Sequence, residues 1–180
     1  MDNRIFTVPN QLTFLRLGFL PFFIIALRYS RYDWALAVLI AAALSDGLDG
    51  LLARKMNQKT PLGTFLDPIA DKLLLSSAYF MLALKGKIAW WLAILVLGRD
   101  VLILIACAVI LLVVGYRTFP PSTYGKMNTA FQILLVLVVI LAAVTENPAL
   151  RFGRHVLIDL VAAFTIISGF HYSVIVARKL

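Results

Sequence analysis

Long apolar runs separated by short polar joints dominate this chain. Six of the runs hold about the 20 apolar residues that a helix needs to cross about 30 Å of hydrocarbon. The pattern predicts six transmembrane helices, near residues 10–29, 34–57, 64–84, 88–114, 124–145 and 154–177. Because the joints between them are only a few residues long, we expect an all-α integral membrane protein whose six-helix bundle forms a single domain, 1–180.

The composition agrees with a membrane protein. Hydrophobic residues make up 62% of the 180 residues, charged residues make up 14%, and the mean hydropathy is +0.92. These values lie outside the usual range for a soluble domain. The first apolar run contains Asn10, Arg16 and Pro21, and no small-residue cleavage site follows it. We therefore interpret it as a retained helix and not as a signal peptide.

The net charge is +8, and lysine and arginine lie largely at the ends of the apolar runs. This placement indicates that the basic residues contact lipid headgroups and not nucleic acid. With the N-terminus inside, ten basic residues face the cytoplasm and six face outward, while Arg99 lies within a helix. The positive-inside rule then predicts that both termini are cytoplasmic. The inner set is Arg4, Arg16, Arg54, Lys55, Lys59, Lys72, Arg117, Lys126, Arg178 and Lys179, and the outer set is Arg28, Arg31, Lys85, Lys87, Arg151 and Arg154.

Four of the nine carboxylates fall in one stretch, SDGLDGLLARKMNQKTPLGTFLDPIADK, around the joint between the second and third runs. Asp46 and Asp49 are three residues apart, and Asp67 and Asp71 are four apart, so each pair occupies one face of its predicted helix. Uncompensated in the bilayer, four carboxylates would cost roughly 10 to 14 kcal/mol on insertion scales. Their charge must therefore be compensated.

A solvated cluster, paired with the nearby arginine and lysines, is one explanation of these aspartates. It does not explain why Gly50 and Ala53 are interleaved on the same helix face. An oxygen-rich site suits Mg²⁺, Mn²⁺ or Ca²⁺. Four carboxylates can also hold two ions about 3.5 to 4 Å apart, an arrangement that serves displacement at phosphorus. The small residues would let a phosphorylated ligand approach the backbone, and Arg54 would supply charge to a diphosphate.

The order Asp46-x-x-Asp49-Gly50-x-x-Ala53-Arg54, eight residues, Gly63-x-x-x-Asp67-x-x-x-Asp71 resembles the signature of the CDP-alcohol phosphatidyltransferases, with every signature position filled. The opening VPNQLTFLRLGFLP is similar to the start of the bacterial phosphatidylglycerophosphate synthases of that family. The resemblance implies a six-helix membrane bundle, a homodimer, and a site that faces the cytoplasm at the bacterial inner membrane. It also implies transfer of a phosphatidyl group from CDP-diacylglycerol to an alcohol, with release of CMP, in anionic phospholipid synthesis.

The same resemblance implies a role for each signature residue. Asp46, Asp49, Asp67 and Asp71 would bind Mg²⁺ or Mn²⁺, as two ions, and Asp71 would also be the general base that accepts the proton of the acceptor hydroxyl. The residues that would hold the cytidine diphosphate are Gly50, Ala53, Arg54 and Gly63.

Two basic residues resemble the acceptor-binding residues of the phosphatidylglycerophosphate synthases, namely Arg99 in LGRDVLIL and Lys126 in TYGKMNTAFQ. They favour glycerol 3-phosphate as the acceptor, although Arg99 could instead pair with an aspartate of a neighbouring helix. Cys107 and Asn128 stand where those synthases usually carry arginine and lysine. The segment PPSTYGKMNTAFQ instead resembles the eukaryotic-type cardiolipin synthases, which makes phosphatidylglycerol the alternative acceptor.

Other polar positions in the apolar runs have simpler interpretations. Asp159 follows His155 by one turn, which favours a local pair, and His171 is too far along the helix to share a metal site with His155. Ser168 and Gly169 would permit close helix approach. A cation or proton transporter is a different class of function, but it predicts polar residues across the whole bilayer, whereas the second and third runs become apolar away from their joint. A non-catalytic helical scaffold is a third class.

Overall fold

Helices form all of the regular secondary structure that can be described. The computed structural model describes residues 8–56, 61–114, 123–145 and 147–177. Within these ranges there is no strand, so the predicted all-helical class is confirmed. The helices are α1 (Val8–Arg28), α2 (Tyr32–Met56), α3 (Pro61–Leu84), α4 (Trp90–Val114), α5 (Thr123–Thr145) and α6 (Pro148–Ala177).

The helix ends that have described residues on both sides lie within two residues of the predicted ones, and the start of α6 is the exception. This helix begins at Pro148, six residues before the predicted position. The backbone N–H of Ala149 donates to Oδ1 of Asn147 at 2.9 Å. Asn147 is thus an N-cap, and proline is favoured at the first helical position because it has no N–H to satisfy there. Because of this cap, α6 begins six residues before the apolar run from which its start was predicted.

A glycine closes α3. Gly86 has a φ of 64°, and the backbone N–H groups of Gly86 and Lys87 donate to the carbonyls of Ala83 and Leu82, each at 2.9 Å. This pair of bonds is the Schellman arrangement, in which a left-handed residue ends a helix and satisfies its last carbonyls. Glycine adopts that conformation without the steric cost that a Cβ would add. The chain therefore turns from α3 into α4 within five residues.

The Cα positions divide the chain into two units, Met1–Met81 and Leu82–Leu180. In the first unit, α1 packs against α2. The buried residues of these helices lie at helical spacing, with Phe23, Ala26 and Leu27 on α1 and Ala35 and Ala42 on α2.

In the second unit, α6 contacts both α4 and α5. The rings of Phe131 and Phe164 meet between α5 and α6, with their centroids 4.9 Å apart. The buried stripe of α6 consists of Val161, Thr165 and Ser168, which places two hydroxyls where an apolar core would be expected. This helix therefore presents a polar face to its neighbours.

Large apolar side chains also cover outward faces. Phe22, Ile94 and Phe170 are 65%, 64% and 73% exposed, and they lie on α1, α4 and α6. Such exposure is typical of surfaces that contact lipid. Within the described residues, Gly125–Thr145 and Pro148–Ser173 are long and apolar enough to cross a membrane.

Candidate functional site

The signature residues fall on two helices of the first unit. Asp46 and Asp49 lie in the second half of α2, and Asp67 and Asp71 lie in the first half of α3. Both segments are helical, as the spacing requires. The side chains of eight signature residues lie outside the described part of the structure, namely Asp46, Asp49, Gly50, Ala53, Arg54, Gly63, Asp67 and Asp71.

The donors available on α2 and α3 fit a divalent metal ion. The four signature carboxylates offer only oxygen, the donor that Mg²⁺ and Mn²⁺ prefer. Ser45 directly precedes Asp46 and is 7% exposed, and its hydroxyl has no hydrogen-bond partner among the described residues. A buried hydroxyl of this kind is rare unless water, an ion or a ligand satisfies it. Ser45 was not among the predicted site residues, and its place next to Asp46 was the available signal.

Arg99 is buried on the core face of α4. Leu92, Val96 and Arg99 recur at helical spacing on this face, and Asp100 follows directly. Arg99 is 8% exposed and Asp100 is 6% exposed. The arginine predicted to bind the acceptor is therefore buried within the second unit.

The guanidinium of Arg99 is held by two side chains. Its Nη1 donates to Oδ1 of Asp100 at 2.8 Å, and its Nη2 donates to Oγ of Ser168 on α6 at 2.6 Å. The ring of Tyr172 lies 5.9 Å from the guanidinium carbon. Among the described residues, the aspartate that pairs with Arg99 is the next residue of the same helix and not one of a neighbouring helix. A neighbouring helix supplies a hydroxyl instead.

Gly169 of α6 lies beside the Arg99 side chain of α4. A Cβ built at Gly169 would meet Cγ of Arg99 at 3.7 Å, which is ordinary van der Waals contact. Ser168 is fully buried beside this contact, and close packing through Ser168 and Gly169 stays a prediction.

One nitrogen atom of the Arg99 guanidinium, Nε, has no hydrogen-bond partner among the described residues. Each side chain of the pair is only 7% exposed, so the carboxylate and the guanidinium neutralise each other at low dielectric. The Nε atom of Arg99 is buried and has no hydrogen-bond partner among the described residues. An unsatisfied buried donor typically costs about 1 to 3 kcal/mol. Arg99 thus keeps hydrogen-bonding capacity although its charge is compensated.

A second polar contact joins α5 to α6. The hydroxyl of Thr165 donates to Oδ1 of Asn128 at 3.0 Å, and both side chains are buried. Nδ2 of Asn128 has no partner among the described residues. Gln132, one turn further along α5, is also fully buried. Thr165 was missed from the sequence, although Thr165, Ser168 and Tyr172 form a polar stripe at helical spacing.

The remaining predicted positions do not join these contacts. Lys126 is exposed, and no hydrogen bond or ion pair to it occurs among the described residues. His155 and Asp159 are both exposed, and no hydrogen bond or ion pair links them in the described region, so the expected local pair is not formed. The side chain of Cys107 lies outside the described residues.

Comparison with known proteins gives a family match and several relatives. The family model for CDP-alcohol phosphatidyltransferase matches residues 6–170. A "Probable phosphatidylglycerophosphate synthase" of Mycobacterium tuberculosis is 33% identical over 183 residues, which cover 98% of this chain and 83% of the relative. The human "Cardiolipin synthase (CMP-forming)" is 31% identical over 88% of this chain and 56% of its own length. The rat protein of the same name is 33% identical over 88% of this chain and 57% of its own length.

Proposed function

The chain belongs to the CDP-alcohol phosphatidyltransferase family, and on that premise we propose that it transfers a phosphatidyl group from CDP-diacylglycerol to an alcohol. It is a membrane-associated enzyme of anionic phospholipid synthesis. The observation that carries the proposal is the filled eight-position signature, whose two aspartate pairs each fall within a continuous helix.

The reaction forms a bond between the acceptor oxygen and the β-phosphorus of CDP-diacylglycerol and breaks the bond to CMP. Asp71 accepts the proton of the acceptor hydroxyl, and CMP leaves with the electron pair of the broken bond. Gly50, Ala53, Arg54 and Gly63 hold the cytidine diphosphate, the small residues by close backbone approach and Arg54 by its charge.

Enzymes of this family generally depend on a divalent metal ion. We propose that two ions, Mg²⁺ or Mn²⁺, are bound by Asp46, Asp49, Asp67 and Asp71. When bound, they neutralise the phosphate oxygens and lower the pKa of the acceptor hydroxyl.

We propose glycerol 3-phosphate as the first candidate acceptor, bound through its phosphate by Arg99 and Lys126. The alignment with the mycobacterial relative, which covers 98% of this chain, supports this choice. Lys126 is exposed and so is available to a water-soluble substrate. The two residues supply a guanidinium and an ammonium, groups that bind phosphate well.

Phosphatidylglycerol is the second candidate, and a specific contact favours it. Where the phosphatidylglycerophosphate synthases usually carry lysine, this chain has Asn128, which is buried and bonded to Thr165. Asp100 also neutralises Arg99. Less net positive charge suits the single charge of a phosphodiester better than the nearly double charge of a phosphate monoester. The human and rat relatives are named as cardiolipin synthases.

We further propose the arrangement in the membrane that the sequence predicts. Residues 1–180 form one domain with six transmembrane helices and cytoplasmic termini, in a bacterial inner membrane, and the active site faces the cytoplasm. The excess of basic residues on the cytoplasmic side of this arrangement supports it. We also propose a homodimer, on family resemblance.

Parallel assays of purified full-length protein test the function. CDP-diacylglycerol and Mg²⁺ or Mn²⁺ are supplied with glycerol 3-phosphate in one arm and with phosphatidylglycerol in the other, and CMP release is followed. Release with glycerol 3-phosphate is the expected result, and release with phosphatidylglycerol alone would replace the first candidate by the second. Asp71→Asn should remove release while the protein stays folded. Unchanged release in that variant would overturn the assignment of the base.

A further inference from the structure

Two hydroxyls one turn apart on α6 hold polar side chains from two different helices. Ser168 accepts a hydrogen bond from Arg99 of α4 at 2.6 Å, and Thr165 donates one to Asn128 of α5 at 3.0 Å. The two hydroxyl residues are 0% and 1% exposed. Residues three apart on a helix are neighbours on one face. A single turn of α6 therefore holds both the guanidinium and the amide.

The buried atoms of Arg99 and Asn128 that have no hydrogen-bond partner are both donors. They are Nε of Arg99 and Nδ2 of Asn128, and neither has a partner among the described residues. Buried donors are nearly always satisfied in folded proteins, by protein, water or ligand. Both donors need an acceptor oxygen, which water can supply and of which a phosphate offers several. An oxygen-rich anion is thus a matching ligand.

Orientation matters more than net charge at this place. Because Asp100 already compensates the charge of Arg99, the guanidinium contributes directional hydrogen bonds. Its Nη1 and Nη2 atoms are used by Asp100 and Ser168, so the direction of Nε follows from those two contacts. Without the Ser168 hydroxyl, Nη2 of Arg99 would lose its acceptor, and the direction of Nε would no longer be fixed.

We propose that Ser168 and Thr165 are positioning residues of the acceptor site, which aim Arg99 and Asn128 at a phosphate oxygen of the acceptor. The proposal rests on the proposed function for the identity of the ligand, and it adds two residues of α6 to that function. Neither hydroxyl touches the substrate. Each acts through the side chain that it holds.

Steady-state kinetics with Ser168→Ala and Thr165→Val test the proposal. The matched controls are Ser173→Ala and Thr129→Val, because those hydroxyls donate only to carbonyls of their own helices. The KM for the acceptor should rise roughly tenfold for Ser168→Ala, as for the loss of a hydrogen bond to a charged group, and about threefold to tenfold for Thr165→Val. The KM for CDP-diacylglycerol should stay within about twofold of the wild-type value, as should both KM values of the controls.

A double variant shows whether Ser168 acts through Arg99. In an Arg99→Lys background the Nη2 contact is already absent, so Ser168→Ala should add little further rise in the acceptor KM. Independent, multiplying effects would overturn the positioning role. Thermal melting of every variant identifies misfolding, and Ser168→Cys, whose thiol is a weaker hydrogen-bond acceptor than the hydroxyl, replaces the alanine variant if that one does not fold.

Direct binding separates this inference from the proposed function. Glycerol 3-phosphate and a short-chain phosphatidylglycerol are titrated calorimetrically into the wild type and Ser168→Ala. Binding roughly tenfold weaker in the variant supports the inference even if the wild type releases no CMP. The absence of CMP release would overturn only the proposed function. Equal binding to both proteins, or no binding of either acceptor to the wild type, would overturn the inference. So would a parallel loss of affinity for CDP-diacylglycerol.

Discussion

Removing the carboxylate charge beside Arg99 should destabilise the protein strongly. The two side chains of the pair are each 7% exposed, with 2.8 Å between Nη1 of Arg99 and Oδ1 of Asp100. Breaking a buried pair by removing one partner costs about 3 to 5 kcal/mol, because the other charge stays buried without compensation. In Asp100→Asn a neutral acceptor oxygen remains at the same position. We therefore expect the lower end of that range, about 3 kcal/mol of the free energy of unfolding.

Two further variants isolate the charge effect. The double variant Arg99→Met/Asp100→Leu removes both charges, and it should recover most of the loss because apolar replacements of a buried pair are often neutral or stabilising. Arg31→Gln removes one partner of an exposed pair, in which Arg31 and Asp33 are 60% and 58% exposed and 3.3 Å apart. The Arg31 hydrogen bond lowers the pKa of Asp33. Water already solvates both charges there, so this variant should change the stability far less.

The measurement is unfolding of the purified chain in detergent, followed by tryptophan fluorescence during titration with dodecyl sulfate and by thermal melting. For a chain of this size, about 3 kcal/mol corresponds to a fall of roughly 6 to 12 °C in Tm. An Asp100→Asn protein within about 1 kcal/mol of the wild type would refute the reasoning, since the pair would then be effectively solvated. A double variant less stable than the single one would refute it as well.

Chelation with EDTA should abolish CMP release, and added Mg²⁺ or Mn²⁺ should restore it; release that persists in EDTA would contradict a metal-dependent reaction. Thr165→Val should lower the free energy of unfolding by about 1 to 3 kcal/mol because it leaves a buried amide oxygen without its donor, whereas Thr129→Val, which breaks only a local bond, should change it less. Equal decreases in the free energy of unfolding of Thr165→Val and Thr129→Val, measured by chemical denaturation, would contradict that difference. Gly86→Ala should cost about 1 to 2 kcal/mol because of its φ of 64°. Gly98 lies in a helix interior with open space around it, so Gly98→Ala should raise the free energy of unfolding by about 0.5 to 1 kcal/mol. A change in Tm of the same sign for Gly86→Ala and Gly98→Ala would contradict this account of the backbone.

The fold class could be predicted because hydrophobic periodicity and length determine it directly. Where described residues flank a helix end, the apolar runs predict that end to within two residues except at the start of α6, and Gly86 marks the end of α3. The start of α6 was placed too late because Arg151 and Arg154 interrupt the apolar pattern. The Asn-Pro pair at 147 and 148 carried the correct signal, since capping depends on local chemistry and not on hydropathy.

The polar contacts of the second unit could be predicted only in part. A buried arginine in an apolar run must find partners, but its choice of Asp100 depends on side-chain conformation, and adjacent residues on a helix do not face each other in general. The pairing of Asn128 with Thr165 joins positions 37 residues apart, a contact that depends on how α5 and α6 pack. The aspartate signature could be found because its information is local, in spacings of one helical turn.

The length of α6 bears on Asp159, whose role the sequence left open. Thirty residues make this helix about 45 Å long, about half as long again as the hydrocarbon layer. If Ala177, the last residue of α6 that the structure describes, lies at one edge of that layer, Asp159 lies about 27 Å from it along the helix, close to the opposite headgroups. In that position the exposed carboxylate of Asp159 reaches water without crossing the hydrocarbon layer. The turns before Asp159 contact the protein itself, because Nη1 of Arg154 donates to the carbonyl of Lys87 at 3.3 Å and so ties the start of α6 to the segment between α3 and α4.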